Sequence, residues 1–250
     1  MKGITAATRA SMIHWACSMA ESNRVLYVVA KQPAAGQTKT RLCPPLNGAE
    51  AAALYAAFLA DTLDIMRQVA GVRCGIAYLP AGAEGFFGSL APEMELVLQQ
   101  GESLGERLDH LITGALANGA TQAVVMDSDS PTLPPAYVAQ AFALLDGDAE
   151  AVFGPCYDGG YYLVGMKRPL PALLRMVQMS TPTVLADTLA IAASEGVRVA
   201  LLPPWYDVDT GEELTHLAHE LRSADPAIAR HTRRGLAALA WSANGDGYTG

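Results

Sequence analysis

Two aspartates, Asp127 and Asp129, follow directly after an apolar run near the middle of the chain. Such a run is typical of a strand buried in an α/β sheet, and ligands collect where strands of that kind end. Carboxylates at this edge favour a hard divalent cation, Mg2+ or Mn2+, whose shell is completed by substrate phosphates. Asp and Ser are also common turn formers, so the alternative is a pair of solvated turn aspartates.

A second pair of carboxylates, Asp207 and Asp209, follows the last apolar run. Alternation along an extended segment places both side chains on one side of the backbone. If that side faces Asp127 and Asp129, four carboxylates converge, and a cation is needed to offset their mutual repulsion. The alternative is structural, because Asp209 or Thr210 can cap the helix that follows.

A cationic loop follows the first apolar run and contains Lys31, Gly36, Lys39 and Arg41. Lysine offers a point charge, arginine offers a planar fork for phosphate, and glycine lets the backbone approach an anion. The chain has only 17 Lys and Arg residues, and three of them here favour phosphate binding over a solvated basic loop. The loop is neither a Walker A loop nor a G-x-G-x-x-G pattern, which disfavours those two nucleotide-binding folds.

A glycine-punctuated turn over residues 99–107 leads into a helix and includes Gln99, Gly105 and Arg107. Arg107 falls in the first helical turn, where a cation opposes the helix dipole, so its side chain can form an ion pair with a bound anion. Taken alone, these residues favour the alternative of an ordinary loop and helix cap.

A turn rich in glycine and tyrosine contains Asp158, Gly159, Gly160 and Tyr161. The two glycines permit a tight backbone turn that presents Asp158 to a cavity. This arrangement suits an acceptor hydroxyl or sugar, with Asp158 as hydrogen-bond acceptor or general base. A plain β-hairpin turn has the same composition, and only the position between the two acidic pairs favours a functional role.

Alternating strands and helices must position these residues. Apolar patterning predicts strands over 25–30, 72–79, 95–98, 123–127, 149–153, 161–165 and 197–202. It predicts helices over 48–69, 104–118, 135–145, 181–194 and 212–221, with Thr181 as the N-cap of the fourth. This order predicts a three-layer, Rossmann-like α/β fold with a mainly parallel central sheet. One domain over residues 24–222 is expected, between an N-terminal extension, 1–23, and a partly disordered C-terminal tail, 223–250.

Composition narrows the functional class. The net charge of −8 and the lack of a basic run exclude nucleic-acid binding through phosphate neutralisation. The four cysteines are scattered, which indicates reduced thiols, no zinc site and no disulfide framework. No stretch is long enough to span a membrane, and together these features predict a cytoplasmic protein.

Five motifs in order resemble the DUF2064 family: Lys-x-Pro-x-x-Gly-x-x-Lys-Thr-Arg-Leu, Gln-x-Gly-x-x-Leu-Gly-x-Arg, Asp-Ser-Pro, Asp-Gly-Gly-Tyr-Tyr and Asp-Val-Asp-Thr. The resemblance covers about residues 25–221. Members of the family are usually described as GT-A-type glycosyltransferases, some in the context of arsenosugar biosynthesis. The family resembles the nucleotide-diphospho-sugar transferase superfamily, and the chain is also similar to guanylyl- and cytidylyltransferases.

The resemblance implies a role for each motif. It places Lys31, Lys39 and Arg41 on the nucleotide phosphates, and Gln99, Gly105 and Arg107 near the base or ribose. Asp129 is the implied first metal ligand and Asp209 the second. The sequence departs from the family pattern at four positions: Asp127 replaces a glycine and either adds a ligand or distorts the site, and the others are Ser103, Met179 and Glu213.

Three functions fit this sequence. The first is a metal-dependent glycosyltransferase that uses a nucleotide-activated sugar and a small-molecule acceptor, with Asp158 orienting or deprotonating the acceptor. The second is a nucleotidyltransferase that joins an NTP to a phosphorylated acceptor and releases pyrophosphate, which the charge of the Lys39–Arg41 loop favours. The third is a non-catalytic nucleotide-binding domain.

Overall fold

Seven strands form one sheet in the computed structural model, which describes residues 23–241. The strands are β1 (Arg24–Lys31), β2 (Arg73–Leu79), β3 (Glu95–Leu98), β4 (Gln122–Met126), β5 (Ala151–Pro155), β6 (Tyr161–Met166) and β7 (Val199–Leu201). Their order across the sheet is β3-β2-β1-β4-β6-β5-β7. Strand β6 is antiparallel to both of its neighbours, and the other pairs are parallel. The predicted mainly parallel sheet is therefore confirmed.

Helices connect the strands and cover both faces of the sheet. They are α1 (Gly48–Arg67), α2 (Glu84–Leu90), α3 (Leu104–Ala117), α4 (Pro135–Asp146), α5 (Ala172–Arg175), α6 (Val184–Ser194), α7 (Gly211–Ser223) and α8 (Arg230–Ala238). A short 3-10 helix, Thr40–Leu42, lies in the loop between β1 and α1. The sequence pattern did not predict α2, α5 or α8.

The sheet is apolar on both faces because each face packs against its own helices. On one side, Leu26 and Val28 of β1 join the cluster that contains Leu59 of α1 and Phe142 of α4. On the other side, Tyr27 of β1 joins the cluster formed by α3, α5 and α6. Burial on both faces explains why β1 is a continuous apolar run rather than an alternating one. The predicted three-layer architecture is confirmed.

A third apolar cluster joins α1 to the C-terminal helices. Leu54 and Phe58 of α1 pack with Leu214 and Leu217 of α7 and with Leu236 of α8. The segment predicted as a C-terminal tail from residue 223 therefore contributes a packed helix, α8, to the described part of the chain. The predicted N-terminal extension lies outside the described residues except for position 23.

The structure tests two local predictions, the helix cap at Thr181 and the free cysteines. The prediction that Thr181 caps a helix is wrong, because α6 begins at Val184 with Thr183 as its N-cap residue. The Thr181 hydroxyl instead donates to the carbonyl oxygen of Gln178 at 2.9 Å.

The free thiols expected are confirmed for the three described cysteines, Cys43, Cys74 and Cys156, while Cys17 lies outside the described residues. Within residues 23–241, no helix has the length and apolar composition of a membrane span.

Candidate active site

A crevice lies beyond the carboxyl ends of β1 and β4, where the direction in which successive strands are added to the sheet reverses. Strands β2 and β3 extend the sheet on one side of β1, and β4 begins the other side. In open α/β sheets, ligands bind at such a reversal, beyond the carboxyl ends of the strands. A cavity of about 470 Å³ occupies this position. Its wall contains eight of the residues that the sequence singled out: Lys31, Lys39, Arg41, Gln99, Arg107, Asp127, Asp129 and Asp209.

Lys39 bridges the two aspartates that were predicted to hold a metal. Its Nζ lies 2.8 Å from Asp129 Oδ1 and 2.6 Å from Asp209 Oδ1, and only 6% of its side chain is exposed. The more exposed Arg41 adds a contact of 2.9 Å from Nη1 to Asp209 Oδ2. Lys39 has φ 50° at the start of the 3-10 helix, in the left-handed region that non-glycine residues rarely adopt. The backbone is thus held in an uncommon conformation where the ammonium meets both carboxylates.

The opposite charges of Lys39 and Asp209 stabilise each other. Burial opposes ionisation of Asp209, but the ammonium of Lys39 and the guanidinium of Arg41 lower its pKa. Burial also works against the charge of Lys39, yet Asp129 and Asp209 raise the pKa of its amine. Lys39 and Asp209 are therefore both charged at neutral pH.

The loops that carry the two acidic pairs are joined by their backbones. The amide of Val208 donates to the carbonyl oxygen of Asp129 at 2.9 Å. Thr210 then caps α7 in a capping box with Glu213, whose carboxylate accepts the amides of Asp209 and Thr210, each at 2.7 Å. The cap and the functional placement, given above as alternatives, therefore occur together: the cap fixes the backbone from which the Asp209 side chain reaches Lys39.

Asp127 lies two residues before Asp129, and its side chain lines the same cavity. Its oxygens accept the Asp129 amide and the Ser130 hydroxyl, each at 3.2 Å. Burial, together with the charges of Asp129 and Asp207, raises the pKa of Asp127 well above its ordinary value. Burial and the charges of Asp209 and Asp158 raise the pKa of Asp207 to about 6. The four aspartates therefore act on one another as a single acidic group.

The turn between β5 and β6 lies beside the acidic group and contributes none of the described residues lining the 470 Å³ cavity. Its Asp158 Oδ1 accepts the Gly160 amide at 2.8 Å, which closes the turn. Gly159 has φ 91°, and a Cβ there would lie 1.9 Å from the carbonyl oxygen of Pro182. The hydroxyl of Tyr161 contacts Met179 Sδ at 3.4 Å. The turn is thus a hairpin, which the sequence analysis gave as the alternative, and it also carries Asp158 to the edge of the acidic group.

Cys156 completes a second cluster that the sequence reasoning missed. Potential ligand atoms of Cys156, Asp158 and Asp207 lie within 4.8 Å of one another. Burial and the charges of the neighbouring aspartates raise the pKa of the Cys156 thiol. The position of Cys156 directly after β5 could have indicated this cluster from the sequence. Strand β5 ends at the same side of the sheet as β4, which is followed by Asp127 and Asp129.

Another group with metal-ligating side chains, Asp61, Asp64 and His231, serves the packing of α8. The Asp61 carboxylate accepts the amides of His231 and Thr232 at 2.9 and 2.7 Å. Asp64 is paired with Arg230 and Arg67. These contacts account for the cluster as a helix cap and a surface ion-pair network.

Backbone conformation and packing explain why glycine occurs at positions 36 and 105, which were predicted to bind nucleotide. Gly36 has φ 72° and lies against Gly48, where an added Cβ would approach the Gly36 nitrogen to 2.8 Å. Gly105 packs on Leu174, whose carbonyl oxygen would lie 2.0 Å from a Cβ at residue 105. Neither glycine is among the described residues that line the cavity.

Gln99 and Arg107 also line the cavity, and both donate to backbone carbonyl oxygens. The Gln99 amide nitrogen donates to the carbonyl oxygen of Ala77 at 2.7 Å, which leaves its own oxygen as an acceptor. Arg107 donates from Nη1 to the carbonyl oxygen of Glu102 at 3.3 Å. Its Nε is buried and has no hydrogen-bond partner among residues 23–241. A buried donor of this kind is costly unless a ligand or water accepts from it.

The acid pair fits a divalent cation. Asp129 and Asp209 already share one cationic group, the Lys39 ammonium, and each contributes one carboxylate oxygen to it. Magnesium is commonly bound through one or two carboxylates, with substrate phosphates and water completing the shell. The chemistry of the donor set and the position beside a cationic cavity both agree with that pattern.

The family model of bacterial proteins described as DUF2064, an uncharacterised conserved family, matches residues 62–181 and confirms the predicted resemblance. A solved structure from Desulfovibrio desulfuricans G20, whose proposed activity is nucleotide-diphospho-sugar transfer, is 29% identical with a TM-score of 0.80. The alignment covers 87% of this chain and 96% of that one. No protein of curated function matches the chain.

Two further structures share the fold. CMP:2-keto-3-deoxy-manno-octonic acid synthetase in complex with CTP has a TM-score of 0.54 at 13% identity, covering 80% of this chain and 99% of its own. A 4-diphosphocytidyl-2C-methyl-D-erythritol synthase from Anaerococcus prevotii DSM 20548 has a TM-score of 0.53 at 10% identity, covering 82% and 99%. The chain therefore has the fold of nucleotide-diphospho-sugar transferases and cytidylyltransferases.

Proposed function

We propose that this chain, similar to the DUF2064 family over residues 62–181, is a metal-dependent glycosyltransferase. It would move a sugar from a nucleotide diphosphate to a hydroxyl group of a small-molecule acceptor. The observation that carries the proposal is the pair Asp129 and Asp209, which shares one cation at the wall of a cavity lined by further cations. This chemistry is suited to a diphosphate leaving group.

The donor side is formed by the cationic wall. Lys31 and Arg107 line the cavity and have no carboxylate partner among residues 23–241. They are available to the phosphates without breaking an existing ion pair, and the Nε of Arg107 gains an acceptor when it binds one. Asp129 and Asp209 would hold Mg2+ or Mn2+, which neutralises charge that develops on the leaving diphosphate.

The acceptor side favours glycosyl transfer over transfer to a phosphorylated acceptor. The Cys156, Asp158 and Asp207 cluster adjoins the buried carboxylate of Asp127. A phosphate brought there would meet several like charges, whereas a hydroxyl can donate its hydrogen bond to a carboxylate. We assign Asp158 and Asp207 to holding that hydroxyl and accepting its proton.

Nucleotidyl transfer is the second candidate because four cations line the cavity: Lys31, Lys39, Arg41 and Arg107. A triphosphate carries more charge than a diphosphate and would use all of them. The two candidates differ in the donor, which makes ligand binding the decisive measurement.

Thermal unfolding with NDP-sugars, NDPs and NTPs, each with Mg2+, Mn2+ or EDTA, tests the proposal. A ligand present at 100 times its Kd stabilises the native state by about 2.7 kcal/mol, which raises the Tm by roughly 5–10 °C. The largest metal-dependent shift is expected with one NDP-sugar. Release of the NDP by slow hydrolysis of that donor would then be measured, since the acceptor is not needed for this reaction.

The variant Asp129→Asn is expected to lose the metal-dependent part of the shift. The variant Asp148→Asn, which changes an exposed aspartate in another part of the chain, is the matched control and keeps the shift. A larger shift with an NTP than with any NDP-sugar supports nucleotidyl transfer instead. The absence of a shift with every nucleotide, in a protein that unfolds cooperatively, overturns both candidates.

A further inference from the structure

The contact of one ammonium with both acids has a consequence for metal binding. The Lys39 Nζ contacts, 2.8 Å to Asp129 and 2.6 Å to Asp209, occupy one oxygen of each carboxylate. The amine is almost completely buried, so solvent screens its charge little. A divalent cation that binds the same two oxygens would be close to a positive charge unless the amine moves.

We infer that Lys39 is the resident counter-ion of Asp129 and Asp209, and that a divalent cation replaces it only when phosphate accepts the displaced ammonium. The inference rests on the proposed function for the source of that phosphate. It makes Lys39 a positioning residue that couples metal binding to donor binding, in addition to its predicted contact with the nucleotide.

The surroundings of Lys39 support an exchange of partners. Lys39 lines the cavity together with Lys31 and Arg41, so its amine can turn from the acids to a phosphate group within the same space. Lysine suits such an exchange, because its ammonium is a point charge with no fixed orientation of donors. A buried ammonium that lost both carboxylates without gaining an anion would carry a large desolvation cost. Phosphate is the anion that the proposed donor supplies.

Charge neutrality explains why the two ligands depend on each other. Lys39 and Arg41 balance Asp129 and Asp209 in the free protein. A metal alone adds two positive charges to a pair of acids that two cations already balance, and a diphosphate alone approaches acids that are already paired. Arrival of both together keeps the site near neutral, so each ligand favours binding of the other.

The first experiment is a titration with Mn2+ in the absence of nucleotide, followed by the electron paramagnetic resonance signal of free Mn2+. Lys39→Met removes the ammonium and keeps most of the apolar stem. We expect this variant to bind Mn2+ about 10-fold more tightly than the wild type. Lys167→Met is the matched control, since Lys167 contacts the carbonyl oxygens of Leu145 and Gly147 and does not line the cavity, and its Mn2+ affinity is expected to equal that of the wild type.

The second experiment measures Tm with Mg2+, with inorganic pyrophosphate, and with both. In the wild type, the shift with both ligands is expected to exceed the sum of the separate shifts. In Lys39→Met, Mg2+ alone is expected to stabilise the protein, and the excess over the sum is lost. If this variant is too unstable to purify, Lys39→Gln replaces it, because its amide can still donate to a carboxylate.

Three results overturn the inference: equal Mn2+ affinity in wild type and Lys39→Met, no Mn2+ binding by either, or purely additive shifts in the wild type. The Mn2+ titration contains no nucleotide, so it does not depend on whether the donor is an NDP-sugar or an NTP. A failed donor screen would overturn the proposed function and leave this comparison valid. Equal Mn2+ affinities would overturn the inference and leave the donor screen valid.

Discussion

Tyr55 and Ser128 connect helix α1 to the end of strand β4 through a buried pair of hydroxyl groups 2.9 Å apart. The Ser128 hydroxyl donates to the carbonyl oxygen of Val29 at 3.1 Å, so the hydrogen between the two hydroxyls comes from Tyr55. The Tyr55 oxygen in turn accepts the backbone amide of Lys31 at 3.1 Å. One side chain thereby ties together the ends of both strands that flank the crevice.

Replacing Tyr55 with phenylalanine is therefore expected to loosen the crevice. The change leaves the Lys31 amide without an acceptor and removes the Tyr55 donor to the Ser128 oxygen, which costs about 1–2 kcal/mol of unfolding free energy. Thermal unfolding should show a Tm lower by roughly 2–6 °C, and donor binding should weaken as well. Tyr157→Phe is the control, because Tyr157 is 72% exposed, and a change of Tm in that variant as large as in Tyr55→Phe would refute the explanation.

Alanine at residue 105 should be far more harmful than alanine at residue 114, although both glycines lie in α3. A Cβ at Gly105 would lie 2.0 Å from the carbonyl oxygen of Leu174, whereas one at Gly114 meets nothing within 4 Å. We expect Gly105→Ala to lose about 2 kcal/mol or more because the backbone must move. Gly114→Ala should gain about 0.5–1 kcal/mol through the higher helix propensity of alanine. Urea unfolding of both variants checks the opposite signs.

Gly159 and Gly82 provide a second matched comparison, since both have φ 91°. At Gly82 an alanine meets nothing within 4 Å, so its cost is the backbone strain, about 1–2 kcal/mol. At Gly159 the Cβ would also lie 1.9 Å from the carbonyl oxygen of Pro182, which adds about 2 kcal/mol. Equal Tm losses in Gly159→Ala and Gly82→Ala would show that this close approach is not maintained in solution.

The carboxyl group of Asp207 should make stability depend on pH when EDTA removes divalent cations. Its pKa is raised from 3.8 to about 6 by burial and by the charges of Asp209 and Asp158. A raised pKa means that the folded protein binds the proton more tightly than the unfolded chain does. This stabilisation is complete below about pH 4 and is lost as the pH rises through 6.

The variant Asp207→Asn removes that dependence. Its unfolding free energy relative to the wild type should rise by about 1–2 kcal/mol between pH 4 and pH 7, after allowance for partial solvent screening. Urea unfolding at both pH values measures the difference, and Asp148→Asn provides the baseline for an exposed aspartate. A difference between wild type and Asp207→Asn that stays constant across this range would contradict the prediction.

The central strands could be predicted because local sequence determines them strongly. Strand β4 is buried at every position, so Gln122–Met126 is almost continuously apolar, and the acids that follow must lie at the carboxyl edge. The convergence of Asp129 and Asp209 was predicted only on the condition that the side of the backbone carrying Asp207 and Asp209 faces the first acidic pair. Helix α4 was predicted from its apolar patterning, and the proline at its start is compatible with the first helical turn.

The bridge formed by Lys39 could not be read from the sequence. Its position in the cationic loop predicted a phosphate contact, and the loop conformation that turns it toward the acids depends on a left-handed backbone at a non-glycine residue. Local propensity disfavours that conformation. Only the tertiary arrangement of three loops brings the ammonium between Asp129 and Asp209.

Helix α8 was missed for a related reason. Its N-cap residue, Ala229, provides no side-chain cap. The missing acceptor is supplied by Asp61 of α1, about 170 positions earlier in the chain, whose carboxylate receives the amides of His231 and Thr232. Start signals for helices are sought within a few neighbouring residues, and a cap from a distant helix leaves none there.

The order of the strands also limits how copies of this protein can associate. The edge strands of the sheet are β3 and β7, with four and three residues, while β1 at the centre has eight. An unpaired strand edge is a template on which another chain can add a strand, and short edges offer few free amides and carbonyls. Within residues 23–241 the sheet therefore places its long apolar strands in the interior and leaves short edge strands, which offer few free backbone groups to another chain.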